Sequence, residues 1–164
     1  MADVINDVAH ELVNLLRTAF AGEQAAIALQ FSSAPHPVPL TKTMLAVGLQ
    51  DAELLPCALS DFAGLDEDGN SLYGRMLEIT AAIQILCPPG KEAAECQRVF
   101  GKICNSLLFV QQEYEVTRVW CGKVQFEKEL GALVLPCYAK LHLTVCQQRQ
   151  EQAIGNYVIR RVTE

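Results

Sequence analysis

Two long stretches of alternating residues, Met76 to Leu86 and Leu133 to Val145, flank a single amphipathic helix, and that order constrains the fold more than any other feature of the chain. In the first stretch Leu77, Ile79, Ala81, Ile83 and Ile85 share one face while Glu78, Thr80, Ala82 and Gln84 share the other, the period-two pattern of a half-buried strand. In the second, Leu135, Cys137, Ala139, Leu141, Leu143 and Val145 form an inward row, and Tyr138, Lys140, His142 and Thr144 point outward. Between them Pro88-Pro89-Gly90 halts the first strand. Ala93, Cys96, Phe100, Ile103, Cys104 and Leu107 then recur at three- and four-residue steps, with Glu92, Glu95, Arg98 and Lys102 opposite, so this helix should lie across the sheet.

The flanking segments extend the same plan. Ile5, Val8, Leu12, Leu15, Leu16 and Ala19 are spaced for a first helix, with Asp3 placed as its cap and Gly22 available as its stop. Ile27, Leu29 and Phe31 alternate with Ala28 and Gln30 in a short strand. From Thr43 to Leu54 both faces are largely apolar, which suits a central strand covered on two sides. Ser60 to Gly74 reads as a polar loop, and Val116 to Phe126 and Leu133 to Gln147 read as strands joined antiparallel through a hairpin at Glu127 to Gly131. The fold class is therefore α+β: a mostly antiparallel twisted sheet of about four to five strands with two main helices packed on one face. Residues 1–147 form one domain in this reading, and residues 148–164 form a C-terminal extension with a β-prone segment at Ile154, Tyr157, Val158, Ile159 and Val162.

Composition excludes several roles. The formal charge is −6, whereas nucleic-acid binding is driven by Lys and Arg displacing counterions from phosphates, so sequence-specific nucleic-acid binding is not expected. Lys140, His142 and the pair Arg160-Arg161 are too sparse to reverse this and read as solvated charges. Seven cysteines without a C-x-x-C pair, mostly inside apolar runs, fit small core residues in a reducing compartment better than a disulfide framework. The N-terminus lacks the pattern of a secretory signal, and no run approaches the ~18 apolar residues of a membrane span, so an intracellular protein with no membrane partner is expected. A chain of this length can bury roughly 68–70% of its unfolded surface, enough for a core without metal or disulfide staples.

The residues offer little chemistry. Asp66, Asp68 and Asn70 match the first alternate ligand positions of a calcium loop, but Ser71 stands where the tight turn needs Gly and Leu77 where the bidentate Glu is required. His10, His36 and His142 lie apart from any nucleophile in sequence; His36 is set between two prolines, and His142 reads as a plain surface residue. There is no phosphate-binding glycine loop, and the cysteine and histidine spacings fit no zinc pattern. No catalytic residue, metal ligand or cofactor is expected, and the protein is not expected to be an enzyme. The contrasting reading is a small-molecule-binding or thiol-dependent α+β enzyme domain, with one exposed cysteine as nucleophile.

The element order and several phrases resemble a known family. An N-terminal helix and strand, Pro39-Leu40-Thr41-Lys42 leading into Met44-Leu45-Ala46-Val47-Gly48-Leu49, a polar loop, Leu72-Tyr73-Gly74-Arg75 opening a long strand, a helix and a final hairpin together resemble the tail terminator (tail completion) proteins of long-tailed bacteriophages. The likeness runs from about Val4 to Val145 and is strongest to the small proteins of Firmicute prophages and contractile phage-tail-like particles. It implies a homo-oligomeric ring, usually of six subunits, that caps the tail tube, ends its polymerisation and, in a phage, receives the head. The implied partners are the tube protein and a sheath or head-tail connector. The implied location is the host bacterial cytoplasm during assembly and then the particle. A closed ring uses head-to-tail interfaces between two different patches of one subunit. Local reasoning places those patches at Asp61, Asp66, Glu67, Asp68 and Asn70 in the polar loop and at Ile154, Tyr157 and Ile159 in the extension.

Overall fold

The structure is a computed structural model that describes residues 2–31, 39–57, 61–109 and 114–148. Helix α1 (Ala2–Ala19) is followed by strands β1 (Ala25–Leu29), β2 (Thr43–Pro56), β3 (Phe62–Leu65) and β4 (Ser71–Cys87), helix α2 (Ala93–Phe109), and strands β5 (Glu115–Cys121), β6 (Gln125–Glu127) and β7 (Ala132–Gln148). The strands form a seven-stranded sheet in the order β1-β2-β4-β7-β5, with β3 added to β4 and β6 added to β7. The expected α+β class is observed. The strand count is higher than the expected four to five, and β1 runs parallel to β2, which makes the sheet mixed.

Two local causes account for the extra strands. Phe62–Leu65 lies inside the stretch expected to be a loop, yet it continues the antiparallel edge of β4 through the pairs Phe62↔Tyr73 and Leu65↔Ser71. The expected single strand from Val116 to Phe126 is divided at Gly122. There the Gly122 N–H donates to the Pro136 carbonyl at 2.8 Å, while Pro136 has no N–H to return and its ring would lie 3.0 Å from a β-carbon on Gly122. The chain restarts as β6, and the Lys128–Gly131 turn, with Gly131 at φ 55°, closes the expected antiparallel hairpin onto β7.

The core follows the alternation. Leu77, Ile79, Ala81, Ile83 and Ile85 of β4 and Leu135, Cys137, Ala139 and Leu141 of β7 are buried in one cluster with Val8, Leu12 and Leu16 of α1 and Cys96, Val99, Ile103 and Leu107 of α2. Both helices therefore contribute to the cluster on this side of the sheet. Opposite it, Leu40, Met44, Ala46, Leu86 and Ala132 form a smaller cluster. The expectation that β2 is covered on both faces thus holds only for its first residues, because burial gives way to exposure from Gln50 to Glu53. The centre of the sheet belongs to β4. Phe31, expected on the apolar row of the first strand, is 96% exposed: its φ of 59° turns the chain out of the strand.

Element lengths limit how much of the sheet the helices can cover. A 17-residue strand such as β4 extends about 56 Å at ~3.3 Å per residue. The 18-residue α1 extends about 27 Å at ~1.5 Å per residue. A helix of that length can lie beside at most about half of such a strand, so β3, the start of β4 and the strand ends beyond Leu54 and Val145 extend past the core as a sheet arm. Burial along β4 agrees: it is partial or absent from Ser71 to Met76 and alternates with full burial from Leu77 onward.

Candidate interaction surface

The tip of the arm is the β3–β4 turn, and one aspartate builds it. The Asp66 carboxylate accepts hydrogen bonds from the backbone N–H of Asp68 at 3.0 Å and of Asn70 at 2.8 Å, and from the Asn70 side-chain amide at 3.0 Å. The Asp66 N–H donates to the Asn70 carbonyl and the Gly69 N–H to the Asp66 carbonyl, while Gly69 takes the positive φ of 83° that the turn requires. Asp66 and Asn70 therefore shape the turn, and the exposed Glu67 and Asp68 give it a negative tip. The near-match to a calcium loop has this structural cause: the side chains of Asp66 and Asn70, two of the three that would have been ligands, hold a β-turn.

At the other end of β3, Asp61 accepts from Arg75 of β4 at 3.0 Å and adopts a φ of 58° as the chain enters the strand. Phe62 meets Tyr73 edge-on with ring centroids 6.2 Å apart. Phe62 remains 43% exposed and Leu65 62% exposed, so the arm presents apolar side chains beside its acidic tip. All five loop residues singled out from the sequence thus lie on one β-hairpin. Ile154, Tyr157 and Ile159, like His36, lie outside the described residues.

The sheet face opposite the helices carries a second group that sequence reading missed. Glu78 of β4 accepts from Lys140 Nζ at 2.7 Å and lies 2.8 Å from His142 Nε2, both on β7. Hydrogen bonds from Lys140 and His142 hold its carboxyl below the usual carboxylate range, which makes Glu78 a poor proton acceptor near neutrality. His142 points outward as expected but is paired, which corrects its reading as a plain surface residue. One row further, Trp120 stacks on Tyr138 with ring centroids 5.3 Å apart, and Arg118 lies 4.8 Å over the Trp120 ring. The pairs Glu78↔His142 and Trp120↔Tyr138 follow directly from the strand register. The signal was present in the outward rows of the alternating stretches, but only the register brings those rows together.

Elsewhere, ion pairs join the turn after α1 to α2. Glu23, in the turn after α1, accepts from Arg98 at 2.9 Å and Lys102 at 2.7 Å, both on α2, and Arg98 also pairs with Glu95 at 2.9 Å. Hydrogen bonds from Arg98 and Lys102 lower the Glu23 carboxyl to about 2. This network borders an open cleft of about 440 Å³ also lined by Thr41, Lys42 and Lys91. Burial, reinforced by the adjacent Cys96 thiol, pushes the Cys87 thiol up to about 12, far from the range of a nucleophilic cysteine. Among the described residues no cluster of three His, Cys, Asp or Glu side chains is placed to hold a metal ion, and no helix is long and apolar enough to cross a membrane. No protein-family model matches the chain, and no curated protein matches it significantly.

Proposed function

We propose that the protein is a structural assembly subunit of a phage tail or phage-tail-like particle, forming a closed ring that caps the tail tube and ends its polymerisation, and in a phage joins tail to head. The observation that carries this reading is the sheet arm: strands about twice as long as the helices beside them, ending in exposed Phe62 and Leu65 and an acidic turn. An arm of this kind suits strand or side-chain contacts between neighbouring subunits. The chain's charge of −6 is compatible with a lumen through which DNA passes without adhering. A ring of six copies, the tube protein and a sheath or head-tail connector as partners, assembly in a bacterial cytoplasm, and a role without turnover complete the proposal. The C-terminal segment around Ile154, Tyr157 and Ile159 serves in it as the second patch.

Light scattering of the purified protein, alone and mixed with tube protein, tests this. A discrete ring-sized species is expected, and the double substitution of Phe62→Ser and Leu65→Ser should dissociate it while leaving circular dichroism unchanged. A strict monomer at high concentration under both conditions would refute the proposal.

A further inference from the structure

Six of the seven cysteines lie on β4, α2, β5 and β7, and two of them face each other directly. Cys121, the last residue of β5, is the register partner of Cys137 in β7. Residues opposite one another in antiparallel strands project to the same side of the sheet. The type of pair follows from the neighbouring hydrogen bond. Because Gly122 N–H donates to the Pro136 carbonyl, residues 122 and 136 form the hydrogen-bonded pair, and residues 121 and 137 form the intervening non-hydrogen-bonded pair. In such a pair the α-carbons approach to about 4.5 Å and the side chains lie closest. That spacing lies within the range a disulfide spans, about 4.4–6.8 Å between α-carbons.

Exposure distinguishes the two sulfurs. Cys121 is exposed, whereas Cys137 is buried beneath α2 and its thiol donates weakly to the Leu135 carbonyl at 3.6 Å. We infer that Cys121 and Cys137 constitute an oxidative modification site that accepts small disulfides, with Cys121 as the attacking thiol and Cys137 as the resolving one. The Cys121 thiol loses its proton to solvent, and its sulfur attacks one sulfur of a disulfide such as oxidised glutathione. The S–S bond of the reagent breaks, leaving glutathione joined to Cys121 and releasing one glutathione thiolate. Cys137 then rotates away from the Leu135 carbonyl, gives up its proton and attacks the Cys121 sulfur. A second glutathione thiolate leaves, and the Cys121–Cys137 bond remains. The two protein thiols are oxidised and the reagent disulfide is reduced, with no other reactant.

Burial, then the nearby Cys121 and Cys104 thiols, raise the Cys137 thiol above its ordinary value, so Cys137 alone reacts poorly with external reagents. Its position opposite Cys121 compensates, because an intramolecular step between aligned groups proceeds at a very high effective concentration. Cys104 of α2 is the competing partner, being partly buried and near enough to Cys121 for their charges to interact. The product would tie the last residue of β5 covalently to β7 while the chain on either side is unchanged.

The protein supplies its own reporter, since Trp120 is the sole tryptophan of the sequence and adjoins Cys121. Native protein is incubated with oxidised glutathione at mildly alkaline pH, then followed by intact mass, tryptophan fluorescence and peptide mapping without reductant. The expected product contains a Cys121–Cys137 peptide link with two hydrogens lost, carries no glutathione at either of these residues whatever the exposed Cys146 takes up, and shows quenched fluorescence that dithiothreitol restores. Cys137→Ala should accumulate a glutathione adduct at Cys121, and Cys104→Ala should still form the link. A stable adduct at Cys121 in the unsubstituted protein, a Cys104–Cys121 link, or an unreacted Cys121 would each overturn the assignment. Mapping of the unsubstituted protein decides the matter even if Cys137→Ala fails to fold. None of these outcomes depends on whether the chain assembles into rings.

Discussion

Replacing Glu23 by Gln removes a carboxylate that ties the turn after α1 to α2. In the folded protein this carboxyl titrates near 2 instead of 4.5, because Arg98 and Lys102 hold the charged form. Taken alone, that difference corresponds to ~3 kcal/mol of preference for the ionised state. Solvent reduces it. The side chains of Glu23, Lys102 and Arg98 are 27%, 32% and 51% exposed, and exposed ion pairs contribute roughly 0.2–1 kcal/mol each, so two pairs give about 1 kcal/mol. A depressed folded-state value contributes stability that is fully present above about 4.5 and disappears as pH falls toward about 2. Urea denaturation of the wild type and Glu23→Gln at pH 7 should therefore differ by about 1 kcal/mol, and the difference should close between pH 4.5 and pH 2. High salt should shrink it at pH 7. A gap at pH 7 that persists unchanged at pH 2 would show that Glu23 acts through packing and not through its charge.

Two further substitutions probe the sheet. Leu141→Ala, at a position with 0% exposure in the middle of β7, should cost about 2–5 kcal/mol in denaturant titrations, whereas Leu65→Ala, at 62% exposure on the arm, should change stability by no more than ~0.5 kcal/mol. Gly74→Ala should lower the melting temperature, with a cost of about 1–3 kcal/mol, because the added β-carbon would lie 2.5 Å from the Val145 carbonyl oxygen and 3.0 Å from the Cys146 α-carbon, so backbone must move.

Elements whose apolar period is carried by their own residues were legible from the chain alone. The alternation from Leu77 to Ile85 gave both the strand and its inward face, and the spacing from Cys96 to Leu107 gave α2 and most of its buried stripe. Features set by a partner elsewhere in the chain were not. Phe62–Leu65 is surrounded by turn residues and becomes a strand only because β4 offers it an edge. Cys121 and Gly122 end β5 for a reason that lies at Pro136 on another strand. The same holds for the surface: the acidic, turn-forming character of the loop was readable, but its exposed Phe62 and Leu65 and the grouping of Glu78 with Lys140 and His142 required the register. Local propensity speaks for single elements, while cross-strand neighbours are fixed by the tertiary pairing.

The pairing of β4 with β7 runs without interruption from Leu72↔Gln148 to Cys87↔Leu133, while β2 slips out of step with β4 between Leu49 and Asp51. Mechanically, the first pair has no break in register at which to yield, whereas the second has one near its midpoint. A load applied at the Asp66–Asn70 tip would therefore travel along β4 and β7 into the core beneath both helices, and the give would be taken up on the β2 side, so that the arm bends toward one flank only.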